Sequence, residues 1–177
     1  MKFDKNRCAE LLKKKKNLEK ESKSLVNCNE IEYDELVTYT SMLANHSHWL
    51  YCKKYIQLSI FFVFQDISFD EFFQVFIQLH RSCYDVVSVW LQKLEEEAFE
   101  NCPESSQINI QIQPQSSGFI SLVDYLLELL DLCDPEATLE DDLKYPETRL
   151  YGISEEYLRL KIEEYFLPRF EEYEKKS

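Results

Sequence analysis

Apolar residues recur at a helical interval along most of this chain. The clearest run is Phe69, Phe72, Phe73, Phe76, Ile77, His80, Cys83, Tyr84, Val87, Trp90, Leu91 and Leu94, at a period of about 3.6 residues. Just before it, Ser68-Phe-Asp-Glu71 has the form of a capping box, in which the serine hydroxyl and the glutamate carboxylate each satisfy an orphan backbone N–H. Ile67 is placed to staple onto Phe72. The pattern predicts a long core helix from Ser68 to near Glu100, ahead of Cys102-Pro103.

The rest of the chain follows with less regularity. Residues 1–26 predict a lysine-rich helix with an apolar stripe of Cys8, Leu11, Leu12, Leu18 and Leu25. A helical stretch from about Tyr33 to Phe64 is expected to break near Asn45–Ser47, because these are poor helix formers. Residues 101–118 are polar, and the alternation of Ile108, Ile110 and Ile112 admits one short strand that Pro114 would end. Phe119 to Leu132 predicts a helix burying Phe119, Leu122, Val123, Leu126 and Leu130, stopped by Asp134-Pro135. After an acidic connection from Glu136 to Glu147, Ser154 is placed to cap a last helix. That helix carries Leu158, Ile162, Tyr165, Phe166, Phe170 and Tyr173 on one stripe and an Arg159–Glu155 pair, and Pro168 should kink or break it.

These elements predict an all-α fold, a compact bundle of about four to six helices. Only two glycines occur, Gly118 and Gly152. That disfavours an all-β fold and excludes glycine-rich phosphate loops and dinucleotide fingerprints. The expected organisation is a basic, helix-prone segment over residues 1–30 and one acidic helical domain over 31–177.

Charge changes the picture most. The net charge is −13, unevenly spread: residues 1–30 carry nine basic against five acidic side chains, and 31–177 carry eleven against twenty-eight. Thirteen acidic residues and no basic one lie between Glu95 and Asp142. Such a field repels nucleic acid and attracts basic protein surfaces, so no direct nucleic-acid binding is expected. The lysine run Lys13–Lys16 points around a helix rather than along one face and reads as a solvated segment; a weaker alternative is that it folds onto the protein's own acidic surface. The longest apolar run, Tyr55–Gln65, has eleven residues, too few to cross a bilayer. With no signal-peptide pattern and six widely spaced cysteines read as reduced and buried thiols, the expected location is the cytoplasm, with no membrane partner.

Chemistry-bearing residues are weighed on the same pattern. His48 and Cys52 sit four apart, with His46 in reach, but zinc needs at least three protein ligands, and surface histidines beside a buried thiol explain the trio more simply. His80 with Cys83 or Tyr84 falls on the apolar stripe, where a thiolate is disfavoured. No metal, cofactor or catalytic residue is assigned, and the chain is read as a non-enzyme. The acidic stripe Asp124, Glu128, Asp131, running on into Asp134, Glu136, Glu140, Asp141 and Asp142, concentrates like charge at a cost that a basic partner would relieve. These eight residues are the candidate partner-binding face.

Three segments resemble a known family: Phe64-Gln-Asp-Ile-Ser-Phe-Asp-Glu-Phe72 followed by Phe76, Leu130-Asp-Leu-Cys-Asp-Pro-Glu136, and Gly152-Ile-Ser-Glu-Glu-Tyr-Leu158. Across roughly residues 50–173 the chain resembles the helical immunity proteins of the colicin D type. It departs from them in its long basic N-terminal extension and its polar 101–118 loop. The resemblance implies a short helical bundle whose acidic face, here Asp131, Asp134, Glu136, Glu140, Asp141 and Asp142, plugs the basic active site of a ribonuclease toxin. The alternative is an interaction or assembly factor docking on a larger complex through the same face or through aromatics around Tyr145, Tyr151 and Tyr157.

Overall fold

The computed structural model describes residues 2–99, 108–134, 136–144 and 152–175, with side chains excepted at 141, 143 and 144. Every regular element among them is helical: α1 (Lys5–Lys20), α2 (Leu25–Cys28), α3 (Glu30–Leu50), α4 (Cys52–Val63), α5 (Phe69–Phe99), α6 (Phe119–Asp131), α7 (Leu139–Lys144), α8 (Glu155–Lys161) and α9 (Leu167–Lys175). Among the described residues this exceeds the expected four to six helices, because short α2 and α7 stand apart and the last helix is interrupted. No strand forms at 108–112; among the described residues, extended pairing is confined to one isolated parallel bridge, Cys133 with Ile153. Pro114 opens a single 3-10 turn, Pro114–Ser116.

The chain packs as two compact units, residues 1–47 with 82–117 and residues 48–81 with 118–177. In the first, Asp4 caps α1 by accepting from the Arg7 N–H at 3.0 Å, and the predicted stripe buries Cys8, Leu11 and Leu25. The basic, helix-prone residues 1–30 lie within this unit. Lys13–Lys16 are exposed, as a solvated run would be, and several also pair with acids of the same unit, which was the weaker expectation. Lys5 meets Glu97 at 2.7 Å, Lys14 pairs with Glu32, Lys16 with Glu95, and Lys13 donates to the Ala98 carbonyl at 2.7 Å. Arg7 reaches both Glu32 and Glu35. Hydrogen bonds from Lys14 and then Arg7 hold the Glu32 carboxylate below its ordinary range, and those from Arg7 do the same for Glu35.

The expected break at Asn45–Ser47 does not occur; α3 continues to Leu50 and the chain turns at Tyr51. Side-chain hydrogen bonds keep the poor helix formers inside the helix. Asn45 donates to the Ser41 carbonyl at 2.9 Å, and buried Ser47 donates to the Cys83 carbonyl at 2.7 Å.

The second unit is built on aromatic rings. Tyr55 of α4, fully buried, meets Phe76 at 5.4 Å, Phe119 at 6.0 Å and Phe170 at 6.0 Å between ring centroids. Phe62 stacks on Phe72 at 4.4 Å, and the Arg159 guanidinium lies 3.9 Å over the Phe62 ring. The capping box ahead of α5 is made as expected: Ser68 N–H donates to Glu71 at 2.9 Å and Glu71 N–H to the Ser68 hydroxyl at 3.3 Å.

Pro168 neither breaks nor ends the last helix. A π turn, Ile162–Phe166, joins α8 to α9, with the Leu167 N–H bonded back to Ile162. The wider turn accommodates a ring that has no N–H to give and would crowd the carbonyl four residues back.

Candidate functional site

The acidic segment is held in place by the turn that follows α6. Gly152, at φ +85°, lets the chain return against residues 132–134: a Cβ there would stand 2.6 Å from the Asp134 Cβ and 3.0 Å from the Leu132 carbonyl oxygen. The Ile153 N–H donates to Leu132 and the Asp134 N–H to Ile153, both at 2.8 Å. Ser154, fully buried, caps α8 by accepting from the Tyr157 N–H at 3.1 Å. Asp142 accepts from both the Ser154 N–H at 2.9 Å and its hydroxyl at 2.5 Å, tying α7 to the start of α8.

The eight sequence-predicted acids therefore divide. Asp142 is committed to Ser154. Asp134, half-buried, accepts from the Glu136 N–H at 2.9 Å and shapes its own turn. Asp124 lies 3.2 Å from the His80 imidazole Nε2. Glu128, Asp131, Glu136 and Glu140 are exposed and have no cation partner among the described residues. The Asp141 side chain, and the predicted stop at Pro135, lie outside the described residues. So does the predicted aromatic surface at Tyr145 and Tyr151.

Cys133 reports the field at this turn. Burial first, then the charges of Glu155, Asp134, Asp142 and Glu156, push its thiol up to about 11. Exposed Glu156 is thus a neighbour the sequence reading left out of the face. Its place in the first turn of α8 was legible, but its approach to Cys133 depends on the bend at Gly152. The segment Glu136–Glu147 was expected as a plain connection and instead holds α7. Its signal was Thr138-Leu-Glu-Asp141, a capping-box spacing.

The metal candidates do not assemble: among the described residues no three His, Cys, Asp or Glu side chains are grouped to hold an ion. His46 and His48 are buried, not on the surface as expected. The His46 ring stacks with Trp90 at 6.0 Å, and His48 meets His80 at 5.1 Å and Tyr55 at 6.4 Å. Cys52 donates to the Phe170 carbonyl at 3.2 Å. Burial pushes the Cys8 and Cys52 thiols up to about 12, which keeps them protonated and unreactive at neutral pH. Of the residues weighed as a thiol–base group, Cys83 is buried, Tyr84 is exposed, and His80 is turned to Asp124.

No helix among the described residues is long and apolar enough to cross a membrane. No family model, no curated protein and no solved structure matches the chain.

Proposed function

We propose that this chain is a non-catalytic protein-binding domain whose exposed carboxylates at Glu128, Asp131, Glu136 and Glu140, joined by Glu156, receive a basic protein surface. One contrast carries the reading. Around α1 the excess of one charge is answered by pairing inside the fold, with Lys5, Arg7, Lys14 and Lys16 all on glutamates. Glu128 and Asp131 on α6, Glu136 between the two helices and Glu140 on α7 have no cation partner among the described residues. Like charges on adjacent turns cost a helix a few tenths of a kcal/mol per pair, and a cationic partner removes that cost while speeding encounter.

The finer reading is an immunity-type inhibitor that covers the basic active site of a nuclease toxin, as the resemblance to colicin D-type immunity proteins implies. Asp134 and Asp142 then act chiefly by shaping the face, and the exposed acids by touching the toxin. The test is affinity capture from the native host at low and high salt, with wild type and with Asp131→Asn/Glu136→Gln/Glu140→Gln. The expected result is one basic nuclease-like protein, lost with salt and with the triple substitution. Capture of a multi-subunit assembly that survives both treatments would replace this reading with that of an assembly factor.

A further inference from the structure

Helices α4 and α5 form an antiparallel pair, because Phe62 faces Phe72 while Tyr55, nearly two turns earlier, faces Phe76. Beside this buried seam runs an outward groove floored by Leu58 and Ile67, with Phe61 and Val75 on its walls. Phe61 is 39% and Val75 46% exposed, and Phe64, one turn beyond Phe61, is 72% exposed. Large apolar side chains left this open on one face mark a contact surface.

The ends of the groove carry opposite charge. Lys54, at the start of α4, is level with Phe76, and Glu71, at the start of α5, is level with Phe62. The whole hairpin, residues 48–81, is neutral, with Lys53, Lys54 and Arg81 against Asp66, Asp70 and Glu71, within a chain of net charge −13.

We propose that the groove is occupied by a second copy of this chain in a twofold pairing. A twofold axis across the groove presents the same patch from both sides and reverses its direction. Phe61 of one copy then comes over Val75 at the opposite end of the other's groove, and Lys54 of each copy faces Glu71 of the second. A basic partner gains nothing from a neutral hairpin, whereas two like-charged copies meet least repulsion there. The Glu71 carboxylate keeps its hydrogen bonds to Ser68 through one oxygen, Oε2, which leaves Oε1 for an ammonium.

Sedimentation equilibrium of the full chain over a range of concentrations tests this. Wild type should associate reversibly to a dimer. Lys54→Glu alone, which sets Glu against Glu71, should weaken the dimer by about tenfold or more, and Glu71→Lys should do the same. An equimolar mixture of the two variants should recover it, since one chain then carries carboxylates at both ends and the other carries ammoniums. Phe61→Ser should weaken the dimer while the helical circular-dichroism signal is unchanged. Wild type that stays monomeric up to roughly 1 mM overturns the proposal and leaves the groove to a different protein. So does a dimer indifferent to Lys54→Glu, a substitution at an exposed position outside the capping box.

Discussion

Gly152 and the two left-handed residues Ser22 and Gln65 show what a chain with only two glycines must do at its turns. Ser22 and Gln65 end α1 and α4 in Schellman motifs. The Lys23 N–H donates to the Leu18 carbonyl and the Asp66 N–H to the Phe61 carbonyl, each at 2.9 Å. A side chain in the left-handed region costs about 1 kcal/mol, so Ser22→Gly and Gln65→Gly should each raise stability by about 0.5–1 kcal/mol in urea unfolding. Gly152→Ala has neither the φ nor the space. It should cost about 2–4 kcal/mol and detach α7, seen as faster hydrogen exchange over residues 136–144. His46 titrates below its ordinary 6.5 because burial disfavours the imidazolium. The unfolded chain takes up that proton first, so this contribution to stability is complete above 6.5 and is lost as pH falls below it. Denaturant midpoints measured from about pH 7.5 downwards should fall, and His46→Gln should flatten that first decline. Glu32, Glu35 and Glu71, held below 4.5 by their hydrogen bonds, add a second loss at more acid pH.

Among the elements, those with a strong apolar period were legible almost to the residue. α5 was expected from Ser68 and runs Phe69–Phe99; α6 buries the five residues its pattern named and Leu129 besides. Tyr55 was legible as core but not as the hub of α4, α5, α6 and α9, which only the packing of distant rings creates. Tyr55→Ala should cost about 3–5 kcal/mol, measured as a shift in the unfolding midpoint. The missed features share one cause, a partner far away in sequence. Ser47 reads as a helix breaker until its hydroxyl meets the Cys83 carbonyl. Asp142 reads as one more acid of the face until Ser154 takes it up. The exposure of Glu128, Asp131, Glu136 and Glu140 follows from their charge alone, because no cation among the described residues intervenes on them.

At the scale of the whole chain, the basic excess around α1 becomes pairing within its own unit, while Glu128, Asp131, Glu136 and Glu140 stay exposed with no cation partner among the described residues. The pairs that hold α1 are largely solvent-exposed, and each such pair contributes about 0.2–1 kcal/mol, reduced by screening. Raising salt from about 0.05 M to about 0.5 M, which shortens the Debye length severalfold, should therefore speed amide exchange in α1. The amides of α4 around Tyr55, held by apolar burial, should be unaffected.

The π turn of the last helix has a consequence for register. Leu158, Ile162, Phe166 and Phe170 are all fully buried and lie four residues apart. In an unbroken α-helix each four-residue step advances about 40° beyond a full turn, so three steps would swing the stripe roughly 120° out of the core. The π turn between Ile162 and Phe166 takes up an extra residue and resets the phase. The final helix is thus two short reading frames spliced in mid-course, and Pro168 sits just after the splice, where an ordinary helix would not admit it.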